Sequence, residues 1–256
     1  MLRTIDIQMA MGLINRRLEP FFRYVAQVSI VRSDKPPEEA IISSGTISMI
    51  ETPERQFLVT NRHVYDGYMQ ARKTDKSVRL GLFGTGSAKA LDISDLEILG
   101  DGGESYDLIT LGAAPSDQLK EIGKEYWKSA WPPARATTDD WAIAFGFPTE
   151  ARRYSENGLI QNRRRKIGSQ VTGSGNNQFQ ISDYESARDY VSEEDLDIPS
   201  SELSHGGMSG CAVFLFNHEH LNPRLGGFLH STSEGKDATL MVHHADLISP
   251  DGIINT

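Results

Sequence analysis

Short runs rich in β-branched and aromatic residues alternate along most of the chain with polar segments that contain Gly, Pro, Asn or Asp. Runs of this length and composition predict antiparallel strands joined by turns. Six runs lie in the first half and six in the second: 24–32, 41–50, 56–60, 77–83, 90–99 and 107–111, then 141–147, 159–171, 179–182, 211–216, 225–229 and 239–243. The repeated count predicts an all-β fold of two six-stranded antiparallel barrels.

The beginning of the chain has a different period. Ile5, Met9 and Leu13 recur at helical spacing, so we expect an N-terminal amphipathic helix that ends at Pro20. Packing across the back of the barrels is its plainer role, and docking to a partner is the alternative. The predicted organisation is a helical segment 1–20, a first barrel 21–112, a crossover 113–140, a second barrel 141–245 and a tail 246–256.

Composition narrows the possible partners and the compartment. The chain of 256 residues carries 26 Lys and Arg against 35 Asp and Glu, a net charge of −9, so neither nucleic acid nor an anionic membrane is expected as its main ligand. Its single cysteine excludes an internal disulfide, which favours a reducing compartment. Charged residues interrupt the N-terminal segment, and no apolar run is long enough to span a bilayer. The sequence therefore predicts a cytoplasmic protein without membrane contact.

The segment Gly207-Met208-Ser209-Gly210 stands directly before the apolar run 211–214. A neutral serine hydroxyl attacks a carbonyl carbon only when a base takes its proton and backbone N–H groups stabilise the developing oxyanion. Glycine two positions before the serine permits a tight turn in which the amides of Gly207 and Ser209 point at one spot. The segment is typical of a nucleophile with its oxyanion hole; a strand-entry loop of small residues is the alternative.

Two further blocks supply the groups that such a serine requires. His63 lies in a polar turn after a β-rich run, and Asp107 begins another apolar strand. An imidazole held by a carboxylate is the usual general base for a serine. Asp107 is preferred for the carboxylate because it adjoins an apolar strand that would bury it; the competing aspartates are Asp92, Asp95 and Asp101. His63, Asp107 and Ser209 are the candidate catalytic residues.

The three blocks resemble the trypsin/chymotrypsin-like serine peptidases, above all the bacterial branch that includes the Htr/Deg proteases and the glutamyl endopeptidases. Residues 60–64, Thr-Asn-Arg-His-Val, are similar to the Thr-Asn-x-His-Val block of the Htr branch, and residues 207–210 are similar to the family's Gly-Asp-Ser-Gly. The spacing also matches, with 44 residues from His63 to Asp107 and 102 from Asp107 to Ser209. The resemblance implies a serine endopeptidase that acts on protein or peptide substrates through an acyl-enzyme, without a metal or organic cofactor.

Three positions depart from the family's pattern. Met208 replaces the aspartate that receives a freed N-terminus in secreted relatives, so activation of the trypsinogen type is not expected. Cys211 and Ala212 stand where Gly and Pro are common. Cys211 is expected to be a small buried strand residue rather than a second nucleophile or a redox switch.

The resemblance also suggests where a substrate side chain would bind. Ser204 would lie in one wall of the specificity pocket, and His230 with Ser231 in the other. No aspartate stands at the pocket base, so cleavage after Lys or Arg is disfavoured. The pair of His230 and Ser204 is similar to the His and Ser by which glutamyl endopeptidases hold an acidic side chain.

Two alternatives remain open at this stage. The basic cluster at 152–153 and 163–166 and the acidic segment 184–202 are explained as solvated surface, or as the contact of a regulatory protein partner. The whole chain is either a peptidase or a catalytically silent module of the same fold that binds peptides. An esterase of the α/β-hydrolase type is excluded, because Cys211 stands where Gly-x-Ser-x-Gly requires glycine.

Overall fold

The computed structural model describes residues 19–84, 90–149, 152–154, 160–162, 164–183, 206–217, 222–233 and 238–255. Three predictions lie outside these residues: the N-terminal helix, the pocket residue Ser204 and the acidic segment 184–202. A 3-10 turn, Glu19–Tyr24, runs through Pro20 at the point where the sequence predicted the helix to end.

The first part of the described chain forms an eight-stranded sheet. Its strands are β1 Val25–Arg32, β2 Ile41–Glu51, β3 Gln56–Asn61, β4 Val78–Phe83, β5 Ala90–Asp92, β6 Ile98–Asp101, β7 Leu108–Leu111 and β8 Trp127–Lys128. Neighbours in the order β5-β4-β1-β2-β3-β7-β6 are antiparallel, and β8 pairs in parallel with β2. The parallel strand β8 is an addition to the antiparallel set that the sequence predicted.

The second part forms a closed six-stranded barrel in the order β12-β13-β16-β15-β14-β9. Its strands are β9 Trp141–Gly146, β12 Arg165–Ser174, β13 Gln178–Asp183, β14 Ala212–Phe216, β15 Arg224–Thr232 and β16 Ala238–His244. The strands β10 Arg152–Tyr154 and β11 Ile160–Asn162 pair separately. The prediction of an all-β fold, with a closed barrel and a second sheet of the same kind, is confirmed.

One predicted strand, 90–99, is divided into β5 and β6. The Asp92 carboxylate accepts a hydrogen bond from the backbone N–H of Ser94 at 2.9 Å. The Ser94 hydroxyl in turn accepts one from the backbone N–H of Leu80 at 2.8 Å. Aspartate side chains that bond the backbone two residues on compete with strand pairing, and this turn ends β5.

The remaining helical segments are short, and the sequence predicted none of them. They are Pro37–Ala40, Arg62–Thr74, Gly103–Tyr106, Ser116–Glu121 and the 3-10 turn Ala245–Leu247. The sequence predicted only a polar turn after β3, but Arg62–Thr74 forms a helix whose buried Val64 and Tyr68 pack into the core of the first sheet. Among the described residues, no helix combines the length and the hydrophobicity needed to cross a membrane.

Aromatic rings fill the interface between the first sheet and the closed barrel, called here the inter-barrel interface. Phe21 packs edge to face on Phe214 with centroids 4.8 Å apart, and Phe22 meets Phe145 in the same way at 5.0 Å. Each such pair contributes about 0.5–1.5 kcal/mol beyond the burial of its surface. Phe21 also contacts Trp127, in β8 of the first sheet, with centroids 5.2 Å apart, so the turn Glu19–Tyr24 ties the two sheets together.

Candidate active site

His63 occupies the first turn of the helix Arg62–Thr74, immediately after β3. Its ring Nδ1 lies 2.6 Å from Asp107 Oδ2, and its backbone N–H donates to Asp107 Oδ1 at 2.9 Å. One carboxylate therefore holds both the ring and the main chain of the histidine. The His63 side chain remains 56% exposed, so the imidazole is accessible to a second molecule.

Asp107 has a backbone conformation that residues other than glycine rarely adopt. Its φ of 46° and ψ of 35° lie in the left-handed region, and it is the single non-glycine residue with positive φ in the described chain. Two backbone hydrogen bonds hold it there: Asp107 N–H donates to Gly103 O at 3.0 Å, and Arg62 N–H donates to Asp107 O at 3.0 Å. Such a conformation costs about 1–2 kcal/mol. Strain of this kind clusters at functional sites.

Three hydrogen bonds keep the Asp107 carboxylate charged. Burial alone would raise its pKa, because desolvation disfavours the anion. The hydrogen bonds from the His63 ring and backbone, the charge of His63 and the hydrogen bond from the Asn61 amide outweigh burial and hold the pKa of Asp107 below its ordinary value. The carboxylate is thus an anion at neutral pH, as a group that orients an imidazole must be.

Asn61 connects this pair with the closed barrel. It is fully buried at the end of β3, and its Nδ2 donates to Asp107 Oδ2 at 2.9 Å and to the backbone carbonyl of His230, in β15, at 3.0 Å. Its Oδ1 is buried without a hydrogen-bond partner among the described residues. The two hydrogen bonds from Nδ2 therefore orient the Asn61 side chain, and they link the Asp107 carboxylate to the second barrel.

Ser209 lies in a turn that two glycines make possible. Gly207 and Gly210 have φ of 87° and 85°, and the turn closes through a hydrogen bond from Cys211 N–H to Met208 O at 3.0 Å. A Cβ atom on Gly207 would stand 2.6 Å from Thr149 Oγ1 and 2.7 Å from the carbonyl oxygen of Phe147. The sequence requirement for glycine thus has two causes here, the left-handed backbone and the lack of space.

The N–H groups of Gly207 and Ser209 make no hydrogen bond with other described residues, so both are available to an external oxygen. Within the same described part of the chain, the Ser209 hydroxyl also forms no hydrogen bond, either to the His63 imidazole or to another group. Catalytic hydrogen bonds of free enzymes are often long and tighten only when substrate binds. The arrangement offers a polar hydroxyl, two free donors and an oriented imidazole at the inter-barrel interface.

Met208 and Cys211 both point into the core. Met208 is fully buried, and its side chain fills the space that the absent Cβ of Gly146 leaves, 3.1 Å from where that atom would stand. Cys211 is also fully buried, and desolvation raises the pKa of its thiol. A thiol in this setting is a packing group, in agreement with the expectation from sequence.

The predicted substrate-binding residues His230 and Ser231 lie in β15. The His230 ring stacks on His243 with centroids 4.0 Å apart, and its Nε2 lies 3.4 Å from Gln178 Oε1. Burial and the neighbouring His243 lower the pKa of His230 to about 4, against the opposing charge of Asp107. Ser231 is exposed. The His230 imidazole is therefore neutral at pH 7, and the His230 backbone carbonyl accepts the hydrogen bond from the Asn61 amide. No group of three metal-ligating side chains occurs among the described residues.

No family model and no curated protein matches this sequence. Solved structures do match. A thermostable serine protease, AL20, from an extremophilic microorganism aligns with a TM-score of 0.50 at 10% identity, over 88% of this chain and 92% of that one. The HtrA-type protease AlgW, solved with a tripeptide, aligns with a TM-score of 0.50 at 14% identity, over 90% of this chain and 59% of that one. This chain has the chymotrypsin-like fold. Identities this low establish the fold alone.

Of the three catalytic candidates from the sequence, the structure brings His63 and Asp107 into contact, and the Ser209 hydroxyl makes no hydrogen bond with either among the described residues. The blocks around His63, Asp107 and Ser209 are short linear signals. Two residues of the site were missed: Asn61, and Thr46 in β2, whose hydroxyl donates to Gly207 O at 2.7 Å. Both form hydrogen bonds across the inter-barrel interface, which no local pattern in the sequence reveals. The only available signal for Asn61 was its place two residues before the histidine, inside the block that resembles the Htr branch.

Proposed function

We propose that this protein is a serine endopeptidase in which Ser209 is the nucleophile, His63 the general base and Asp107 the group that orients the imidazole. The observation that carries the proposal is the double hydrogen bond of the Asp107 carboxylate to the ring and the backbone of His63, at 2.6 and 2.9 Å. A carboxylate in this relation fixes the tautomer with the proton on Nδ1 and leaves Nε2 as the basic atom.

In the proposed reaction, His63 Nε2 takes the proton of the Ser209 hydroxyl while Oγ bonds to the carbonyl carbon of a peptide. The N–H groups of Gly207 and Ser209 stabilise the oxyanion of the tetrahedral intermediate. Collapse of that intermediate expels the amine, which receives the proton from His63, and leaves an acyl-enzyme. Water then repeats the sequence with His63 as base and releases the carboxylic acid and the serine hydroxyl. No metal or organic cofactor enters this scheme.

The substrate preference of the proposed peptidase depends on the protonation of His230. A histidine with a pKa of about 4 donates a hydrogen bond at pH 7 but carries no positive charge. We therefore expect little selection for Glu or Asp before the scissile bond at pH 7. A panel of peptides varied at that residue measures this, and a strong acidic preference at pH 7 would restore the pocket that the sequence suggested.

We also propose that a protein partner in the cytoplasm controls the activity. The described part of the basic cluster supports this, because the Arg164 guanidinium lies over the Phe22 ring at 4.7 Å and so reaches the inter-barrel interface. An acidic partner that engages the cluster would therefore act on the turn Glu19–Tyr24. Cleavage measured with and without candidate partners tests this, and rates that no partner changes would dismiss it.

A catalytically silent peptide-binding module is the second candidate. It is favoured by one observation, that the Ser209 hydroxyl makes no hydrogen bond with His63 in this structure. In such a module the groove would bind peptides, but the serine would never lose its proton.

Labelling with a fluorophosphonate separates the two candidates. A peptidase is modified once per chain, and Ser209→Ala and His63→Ala abolish the modification while Ser33→Ala, which removes an exposed serine hydroxyl, does not. A chain that stays unlabelled but binds peptides would be the silent module. Labelling that survives Ser209→Ala would contradict the proposed nucleophile.

A further inference from the structure

Thr46, in the middle of β2, is a fully buried residue of the first sheet that bonds directly to the turn carrying Ser209. Its hydroxyl donates to the carbonyl oxygen of Gly207 at 2.7 Å, and its backbone N–H donates to the carbonyl oxygen of Ser209 at 3.1 Å. The same hydroxyl accepts a hydrogen bond from the backbone N–H of Phe147 at 3.1 Å. One side chain thus joins three segments that are far apart in sequence.

The peptide groups on either side of the turn are held in the same way. Gly206 O accepts from Thr149 N–H at 2.8 Å, and Met208 O accepts from Cys211 N–H at 3.0 Å. A peptide group is planar, and its N–H points away from its carbonyl. Holding the Gly206 and Met208 carbonyls therefore directs the N–H groups of Gly207 and Ser209 to the opposite side of the turn, where an oxyanion would bind.

Thr46 holds the other two peptide groups of the turn, those whose carbonyl oxygens belong to Gly207 and Ser209. The bond to Ser209 O comes from the backbone of Thr46, and the bond to Gly207 O comes from its hydroxyl. Without the hydroxyl, the Gly207–Met208 peptide would be free to rotate, because glycine at φ 87° offers little resistance to a change of backbone angle. Rotation there would change the direction of the Ser209 N–H as well. Thr46 also fixes Phe147, whose carbonyl lies against Gly207, so both sides of the turn depend on one hydroxyl.

The residue inside the turn provides no such anchor. Met208 is fully buried and apolar, so it makes no ion pair that could hold the turn in place. The carbonyl of Gly210 on the far side accepts from the Ser48 hydroxyl at 2.9 Å, a second contact from β2. The first sheet, not a charged residue of the turn, supplies the side-chain hydrogen bonds.

We propose that Thr46 is a positioning residue for residues 206–211, called here the oxyanion turn: it keeps the N–H groups of Gly207 and Ser209 directed toward the oxyanion. This role rests on the proposed peptidase function. Thr46 touches neither substrate nor reacting atoms. It acts through the direction of two backbone N–H groups, so its loss should lower the rate of the chemical step more than it weakens substrate binding.

The test compares three substitutions in the full chain. Thr46→Val keeps the shape and removes the hydroxyl, Thr46→Ser keeps the hydroxyl, and Thr46→Ala is a second variant without it. Thr52→Val is the matched control: Thr52 is a buried threonine after the same strand, and its hydroxyl bonds to Pro250 O, away from the turn. Peptide kcat and KM, the fluorophosphonate labelling rate, and amide hydrogen exchange of residues 206–211 are measured for each.

We expect Thr46→Val and Thr46→Ala to lower kcat and the labelling rate about 10- to 100-fold with little change in KM, since removing an oxyanion donor outright costs about 100- to 1000-fold. Exchange in the 206–211 segment should accelerate in both. Thr46→Ser and Thr52→Val should stay within about threefold of the parent protein in every readout.

The outcomes separate this role from the proposed function. If the parent chain is never labelled, the peptidase proposal fails, while the exchange measurement still decides whether Thr46 orders the turn. If the parent is labelled and Thr46→Val matches Thr52→Val in kcat, labelling and exchange, the positioning role is overturned. Equal losses of kcat in Thr46→Val and Thr46→Ser would also overturn it, because the hydroxyl would then not be the cause.

Discussion

Replacing Asn61 by leucine tests the link between the two barrels and the charge of Asp107 in one experiment. The variant loses two hydrogen bonds from Nδ2, one to the Asp107 carboxylate and one to the His230 carbonyl. A hydrogen bond to a charged group contributes about 1.5–3 kcal/mol and one between neutral groups about 1 kcal/mol. The variant also removes the unpartnered Oδ1, which returns part of its desolvation cost of about 1–3 kcal/mol. We expect a net loss of about 2 kcal/mol in the free energy of unfolding at pH 7.

The pH dependence of that loss identifies its source. The pKa of Asp107 is lowered in the folded protein, so its contribution to stability is present above the unfolded pKa of about 3.9 and disappears as the pH falls through the folded value. Without Asn61 the pKa of Asp107 is lowered less. The difference in the free energy of unfolding between parent and variant should therefore be largest at pH 7 and decrease below about pH 4. What remains there is the contribution of the lost hydrogen bond to the His230 carbonyl.

Urea unfolding of both proteins between pH 3 and pH 7, followed by tryptophan fluorescence, measures this. Gln170→Ala, which removes an exposed side-chain amide that bonds to Thr138 O, is the control and should show no such dependence. Asn61→Asp should destabilise more than Asn61→Leu at pH 7, because two carboxylates would then face each other. A loss in Asn61→Leu that stays constant over the whole pH range would refute the reasoning, because it would place no part of the effect on Asp107.

Three further predictions concern single groups. Gly207→Ala should abolish fluorophosphonate labelling while the chain stays folded, because a Cβ would stand 2.6 Å from Thr149 Oγ1; retained labelling would show that the turn tolerates a side chain. Burial lowers the pKa of Lys124 to about 7, so between about pH 7 and pH 10 the unfolded chain binds more protons than the folded one. The free energy of unfolding of the parent, relative to Lys124→Met, should therefore rise by about 1 kcal/mol per pH unit in this range. A difference in urea unfolding that does not change with pH would contradict this. Cys211 should resist a disulfide reagent in the folded protein and react once in denaturant, and fast native labelling would contradict its burial.

Local patterns in the sequence carried most of the fold. Alternating β-rich runs predicted most strands of both sheets to within a few residues, because strand composition and turn residues are local properties. They did not predict β8 or the division of 90–99 into β5 and β6. The sequence analysis missed the helix Arg62–Thr74, because only Val64 and Tyr68 are buried in it and most of its other residues are polar, so the segment was interpreted as a turn. The predicted domain boundaries and the predicted roles of the three catalytic candidates stay predictions.

The side chains that the sequence did not reveal share one physical property. Thr46 and Asn61 are fully buried polar residues, and each donates a hydrogen bond to a main-chain carbonyl of the other barrel, which has no identity that a sequence motif could encode. Linear motifs mark the candidate catalytic groups. The groups that position them are found only when the two barrels are brought together.

The position of the site at the inter-barrel interface makes its geometry sensitive to packing. The first sheet reaches the second barrel through the hydrogen bonds of Thr46 to Gly207 O at 2.7 Å and of Asn61 to His230 O at 3.0 Å. Hydrogen bonds weaken steeply beyond about 3.2 Å, so a shift between the barrels of less than 1 Å would break both. The Phe21 contacts with Phe214 and Phe145 oppose such a shift. Loss of these rings should therefore disturb the oxyanion turn and the His63–Asp107 pair together.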